Sequence, residues 1–123
     1  MSVITLPERI SVMKKETSLV FTGDIGFDRY MYGKWDDEEL LSDEVLSFLH
    51  SADHVVANVE GPVAPVETNT TKDGVQQLLH TIDPEAVKVL RKMGADIWNI
   101  CNNHIMDAGE FGMESTLQYA KAN

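Results

Sequence analysis

The sequence has little of what secreted and membrane proteins need. It contains one cysteine, Cys101, so no disulfide can form within the chain. No apolar run approaches the roughly 20 residues of a membrane-spanning helix, and residues 1–10 lack the basic segment and apolar core of a secretion signal. These absences predict a cytoplasmic protein with no membrane segment in this chain, although a chain that had lost an anchor would look the same.

Basic residues are also scarce. Lysines and arginines number 10 against 20 aspartates and glutamates, which gives a formal net charge of -10. Such a chain has no general electrostatic attraction to nucleic acid or to an anionic membrane, but it suits a divalent cation.

Hydrophobic residues make up 43% and charged residues 24% of the 123 positions, which indicates one globular domain rather than a disordered chain.

Apolar runs and helical periodicities alternate after an N-terminal arm, residues 1–17. Short apolar runs predict three strands, at residues 18–25, 54–60 and 95–101, and the valine and phenylalanine of the first favour a buried strand. Capping residues and glycine stops predict helices over residues 42–52, over 83–94, and from the glycines at 109 and 112 to about 121. A long loop is expected over 61–74.

The spacing of apolar residues also predicts which face of each helix is buried. The expected buried positions are Val45, Phe48, Leu49 and Ala52, then Ala86, Val89, Leu90 and Met93, and finally Met113, Leu117 and Ala120. Three further expectations concern single residues. Cys101 should lie in the core, Trp35 and Trp98 should pack rather than bind, and His50, His54 and His80 should lie at the surface or its boundary.

Helical crossovers between strands imply a parallel sheet. The predicted fold class for residues 18–123 is therefore α/β, with three parallel strands and crossover helices. A parallel sheet needs cover on both faces, and three strands with three helices make a thin domain. We therefore expect the chain either to form a homo-oligomer or to be one half of a larger fold.

Each predicted strand is followed by a polar cluster. Ligands of open parallel sheets bind at the carboxyl ends of the strands, so residues distant in sequence are expected to meet along one edge. Carboxylate, carboxamide and imidazole groups suit Mn, Fe or Zn. The clusters are, in chain order, Gly23-Asp24 with Arg29, Asn58-Val59-Glu60, and Asn102-Asn103-His104 with Asp107.

Each cluster also has a purely structural interpretation. Gly23-Asp24 is compatible with a capped turn, and Glu60 with an ordinary loop start before Gly-Pro. Asn102-Asn103-His104 is compatible with an Asx-turn that leaves His104 in solvent. The functional interpretation is favoured by the equivalent positions of the three clusters at the strand ends.

Three segments together resemble the capsule synthesis protein CapA family, which is linked to poly-gamma-glutamate capsule biosynthesis and belongs to the calcineurin-like metallophosphoesterase superfamily. The resemblance runs from about residue 18 to the end and covers the N-terminal half of the family domain. It implies the N-terminal half of a metallophosphoesterase-like α/β sandwich. The segments are Phe21-Thr-Gly-Asp-Ile-Gly-Phe-Asp-Arg29, Ala57-Asn-Val-Glu-Gly-Pro-Val63 and Gly94-Ala-Asp-Ile-Trp-Asn-Ile-Cys-Asn-Asn-His-Ile-Met-Asp-Ala-Gly109.

The resemblance also implies roles for single residues. Asp24, Glu60 and Asn103 match metal-ligand positions, His104 matches the histidine that assists the leaving group or contacts phosphate, and Arg29 matches an arginine that could hold an anionic oxygen. Asp107 is close enough in sequence to orient the ring of His104. Gly26 stands where the wider superfamily's Asp-x-His motif has histidine, a departure that bears on the expected two-metal centre.

These roles imply a metal-dependent hydrolase of phosphoesterase type, with a phosphoester or a polyglutamate-related substrate. Later histidine motifs of the superfamily are absent from this sequence. We therefore expect the 123-residue chain to lack turnover and to bind divalent metal weakly or not at all, with the missing C-terminal half completing the site. The alternative is a non-catalytic module or inactive fragment that binds or organises an anionic polymer or a partner protein.

Overall fold

The computed structural model describes residues 16–65, 71–72, 75–76 and 79–123. Most of the predicted N-terminal arm and part of the predicted 61–74 loop lie outside these residues. The strands are β1 (Leu19–Ile25), β2 (His54–Val59), β3 (Thr71–Lys72), β4 (Val75–Gln76) and β5 (Ala95–Asn99). The α-helices are α1 (Asp43–His50), α2 (Val87–Met93) and α3 (Gly109–Ala122).

Strands β1, β2 and β5 form one parallel sheet with β2 in the centre. The connections from β1 to β2 and from β2 to β5 carry α1 and α2 respectively, as a parallel sheet requires. The predicted α/β class with three parallel strands is therefore confirmed. Strands β3 and β4 form a separate antiparallel hairpin, so the segment predicted as a loop contains paired backbone.

The helix boundaries follow their capping residues. Ser42 Oγ accepts a hydrogen bond from the Val45 backbone N–H at 3.4 Å and caps α1, as predicted. A short 3₁₀ turn, Pro84–Ala86, leads into α2, which ends at Gly94 with a φ of 73°. Glycine adopts this left-handed conformation without the steric cost of a side chain, which explains the stop.

The core lies between the helices and one face of the sheet. Val55, Ala57 and Val59 alternate along β2 and are all buried. The predicted buried face of α2 is confirmed at all four positions, including Leu90 and Met93. These residues belong to one hydrophobic cluster, so β2 is the best-covered strand of the sheet.

The predicted burial of the first strand is wrong, because β1 is an edge strand with an open side. Phe21 is 72% exposed, and Ile97 of β5 is also exposed. The prediction for α1 is wrong in part: Leu49 is buried, whereas Val45 and Phe48 are exposed. Among the described residues, the face of the sheet that carries Phe21 and Ile97 has no covering layer, and it lies opposite the face that packs on Leu49.

The buried face of α3 also differs from the prediction. Gly112 and Thr116 are its buried residues, whereas Leu117 is exposed. The Thr116 hydroxyl accepts a hydrogen bond from the Val63 N–H at 2.8 Å and donates one to the Gly112 carbonyl at 2.7 Å. A Cβ on Gly112 would lie 3.0 Å from the Pro62 Cβ, so close backbone approach selects this face over the more apolar one.

Cys101 is exposed, and β5 ends before it at Asn99, so its predicted place in the core is wrong. The chain turns away from the sheet two residues earlier than the apolar run suggests.

Among the residues that the structure describes, none of the helices combines the length and apolar character that crossing a bilayer requires.

Replacing Thr116 with valine keeps its shape but removes the hydroxyl that bonds Val63 and Gly112. Because the Val63 N–H would then be buried without a partner, we expect the free energy of unfolding to fall by about 1–3 kcal/mol. Urea unfolding of Thr116→Val beside Thr116→Ser, which keeps the hydroxyl, measures this. A Thr116→Val variant as stable as the unchanged protein would contradict the assigned hydrogen bond.

Candidate active site

Side-chain amides link the three strands where they end. The parallel register pairs Asp24 of β1 with Asn58 of β2, and Asn58 with Asn99 of β5. The Asn58 amide Nδ2 donates to Asp24 Oδ1 at 2.6 Å, and Asn99 Nδ2 donates to Asn58 Oδ1 at 2.8 Å. This chain of hydrogen bonds crosses the sheet and holds the Asp24 carboxylate in one orientation.

Glu60 follows directly after β2 and lies beside Asp24. Its backbone N–H donates to the Ile25 carbonyl at 3.0 Å, which continues the pairing of β1 with β2 beyond the strand end. A hydrogen bond with the Asp24 carboxyl group, followed by burial and by the charge of Asp24, raises the pKa of Glu60 above its usual 4.5. The two acids therefore interact directly, and ionisation of both is unfavourable.

The third cluster is shaped by Asn102. Its Nδ2 donates to the Val59 carbonyl at 2.9 Å, and its Oδ1 accepts from the His104 backbone N–H at 3.2 Å. The Asx-turn that the structural interpretation expected is therefore present at Asn102. His104 does not extend into solvent, however, because its side chain is only 16% exposed.

The His104 ring is held between two carboxylates. Its Nδ1 lies 2.7 Å from Asp107 Oδ2, and its Nε2 lies 3.8 Å from Glu60 Oε1. The short contact at Nδ1 favours a proton on that nitrogen and leaves Nε2 facing the acidic pair. The structure thus brings together Asp24, Glu60, His104 and Asp107, four of the six residues singled out from the sequence.

Asn103 and Arg29 are placed differently. Asn103 is exposed, and no hydrogen bond or ion pair joins its side chain to the other five residues in the described part of the chain. Arg29 has a φ of 51° and a half-exposed side chain, with Nε 4.0 Å from Asp28 Oδ2. Its connection to the site runs through Asp28 rather than directly.

Sequence reasoning missed Asp28 and His80. His80 was expected at the surface or its boundary, yet its ring contacts that of His104, with centroids 4.0 Å apart. Its Nδ1 lies 2.9 Å from Asp28 Oδ2. Asp28 stands within the first recognised segment, which could have drawn attention to it. No local signal marks His80, because its position depends on where the chain returns after the hairpin.

The donor chemistry of the acidic pair fits a divalent cation. Asp24 and Glu60 offer carboxylate oxygens, and a cation between them would offset the repulsion between the two ionised groups. Among the described residues, however, no group of three or more histidine, cysteine or acidic side chains has a metal-holding arrangement. The pair can therefore supply part of a coordination shell.

Comparison with known proteins identifies the family of this chain. A family model described as "Bacterial capsule synthesis protein PGA_cap" matches residues 18–123. The chain belongs to this capsule synthesis family. The match covers all three strand-end clusters and confirms the resemblance drawn from the sequence.

One curated relative extends the comparison. The "PGA biosynthesis protein CapA" of Bacillus subtilis (strain 168) is 32% identical over 111 residues. The alignment covers 86% of this chain and 28% of the relative. This member of the capsule synthesis family therefore spans less than a third of the length of the relative that it matches.

Replacing Asp24 with asparagine should bring the pKa of Glu60 down toward 4.5, because the new amide can donate to Glu60 and the neighbouring charge is lost. In the unchanged protein the folded state holds the Glu60 proton more tightly than the unfolded state. Its free energy of unfolding therefore falls as the pH rises from 4.5 through the raised pKa. In Asp24→Asn, the free energy of unfolding should decrease much less over the same pH interval.

Carbon-13 NMR titration of the Glu60 carboxyl, together with urea unfolding on both sides of that pH interval, measures the effect. Glu114→Gln removes one negative charge from an exposed position on α3 and serves as the matched control. An unchanged Glu60 titration in Asp24→Asn would rule out the proposed contact between the two acids.

Proposed function

We propose that this chain carries part of the active site of a metal-dependent hydrolase of phosphoesterase type that acts in poly-gamma-glutamate capsule synthesis. The observation that supports this most is the position of His104 Nε2, 3.8 Å from Glu60 Oε1 at the edge where Asp24 also lies. An acidic pair beside an oriented imidazole suits hydrolysis of a phosphoester. The family assignment supports the capsule setting.

In this proposal Asp24 and Glu60 hold a divalent ion, Mn, Fe or Zn, with Asn103 as a further ligand. One ion, or two in a complete site, would activate a water molecule and neutralise charge on the phosphoryl oxygens. Asn58 keeps Asp24 Oδ1 in place through their 2.6 Å hydrogen bond. The side chain of Asn103 has to turn inward to reach the pair, because it is exposed in this structure.

His104 would act as the general acid. In its protonated form, Nε2–H gives a proton to the leaving oxygen, and the neutral ring retains the Nδ1 proton that faces Asp107 at 2.7 Å. Asp107 thereby selects the ring orientation. Arg29, half exposed near Asp28, would bind an anionic oxygen of the substrate.

The hydrolase proposal is tested in a longer protein that carries this chain, with Mn²⁺ and two substrates. We expect p-nitrophenyl phosphate and a simple alkyl phosphate to be hydrolysed only when metal is present. His104→Ala should slow the alkyl ester by about 10²–10⁴-fold. Its effect on the aryl ester should be much smaller, because p-nitrophenolate leaves without a proton.

Asp24→Asn should slow both esters to a similar extent, because it weakens metal binding rather than proton transfer. Glu114→Gln again provides the control and should leave both rates unchanged. Metal-independent rates, or no effect of His104→Ala on either ester, would favour the alternative of a non-catalytic module that organises an anionic polymer or a partner protein.

The 123-residue chain alone is expected to bind Mn²⁺ weakly or not at all. Two adjacent carboxyl groups leave most of the coordination shell unfilled, and the described residues hold no larger ligand group. Isothermal titration of the chain with Mn²⁺, with Asp24→Asn as reference, measures this. Tight binding at two sites would contradict the expectation that the site is incomplete.

A further inference from the structure

His80 lies where the segments that follow the three parallel strands meet. Its neighbour Ile82 forms a parallel bridge with Val63, with hydrogen bonds from Ile82 N–H to the Pro62 carbonyl at 2.9 Å and from Ala64 N–H to the Ile82 carbonyl at 3.1 Å. These bonds fix the segment that carries His80 beside the chain leaving β2. The position of His80 is therefore set by backbone pairing.

The backbone of His80 makes two further close contacts with the site. Its N–H donates to Asp107 Oδ2 at 2.7 Å, the same oxygen that faces His104 Nδ1. Its carbonyl lies so near Gly61 that a Cβ there would be 3.0 Å from the oxygen, and Gly61 also has a φ of 110°. The approach of His80 to the end of β2 therefore requires glycine at position 61.

The ring of His80 packs against the ring of His104. The ring centroids are 4.0 Å apart and the planes are inclined by 62°, an edge-to-face arrangement. His80 Nδ1 lies 2.9 Å from Asp28 Oδ2, at ion-pair distance, and both side chains are mostly buried. Asp28 Oδ2 accepts no hydrogen bond from the described residues, so this contact is a close approach at ion-pair distance.

We propose that His80 is a positioning residue, whose ring holds the His104 imidazole in the orientation that points Nδ1 at Asp107 and Nε2 at Glu60. Asp28 limits the movement of the His80 ring from the opposite side. This inference depends on the proposed function only for its catalytic consequence. The orientation of the His104 ring is a property of the folded chain and is measurable without metal or substrate.

Loss of the His80 ring should change which nitrogen of the neutral His104 ring carries the proton. A ring that turns freely spends less time against Asp107, so the preference for a proton on Nδ1 weakens. We expect His80→Ala to lower the ratio of the Nδ1–H to the Nε2–H tautomer of His104 by about threefold or more. His80→Phe places an aromatic ring without a nitrogen beside His104, and it should recover most of the original ratio.

Long-range proton–nitrogen NMR spectra of the ¹⁵N-labelled chain, recorded at alkaline pH where imidazole is neutral, measure the tautomers. His54 supplies the matched control, because its Nδ1 lies 2.6 Å from Asp96 Oδ2 and it starts β2 at the end away from the site. His54→Ala removes another histidine–aspartate pair and should leave the His104 ratio unchanged. Should His80→Ala not fold, His80→Leu provides similar bulk without an aromatic edge.

Two outcomes overturn the inference: an unchanged His104 ratio in His80→Ala or His80→Leu, or an equal change in His54→Ala. A ratio that falls and is recovered by phenylalanine supports it. Hydrolysis by the longer protein answers a separate question, since absence of metal-dependent activity there would reject the proposed function and leave the ring measurement valid. If both hold, His80→Ala should lower kcat by roughly tenfold or more with KM little changed.

Discussion

The interaction between the carboxyl groups of Asp24 and Glu60 is the constraint on which the rest of the site depends. Two acids in hydrogen-bond contact are unfavourable when both are ionised, as the raised pKa of Glu60 reflects. The neighbouring groups limit this cost: Asn58 donates to Asp24, and His104 faces Glu60. Two carboxyl groups held this close at the strand ends offer oxygen ligands of the kind that divalent cations prefer.

The parallel register makes this pair possible. Asp24 on β1 lies beside Asn58 on β2, and Glu60 follows two residues later on the same edge. A change of one residue in the register would turn one of these side chains to the other face of the sheet, where Val55, Ala57 and Val59 are buried. Backbone pairing therefore determines the chemistry of the edge.

Several features followed from local sequence. The cap at Ser42, the stop at Gly94 and the buried face of α2 depend on neighbouring residues, so they were predictable. Predictions failed where distant segments decide burial. The exposure of β1 depends on its edge position, and the buried face of α3 depends on the approach of Gly112 to Pro62 rather than on apolar spacing.

Local patterns in the sequence were enough to predict the order of the parallel strands and the three α-helices, and the polar residues that end each parallel strand. Parallel connectivity then brings Asp24, Glu60 and the Asn102–His104 segment to one edge, which explains why most of the predicted site came together. Contacts between distant segments are the reason that Asn102 turns inward while Asn103 is exposed, and that His80 lies beside His104. These choices depend on hydrogen bonds between residues more than 20 positions apart, which no local pattern encodes.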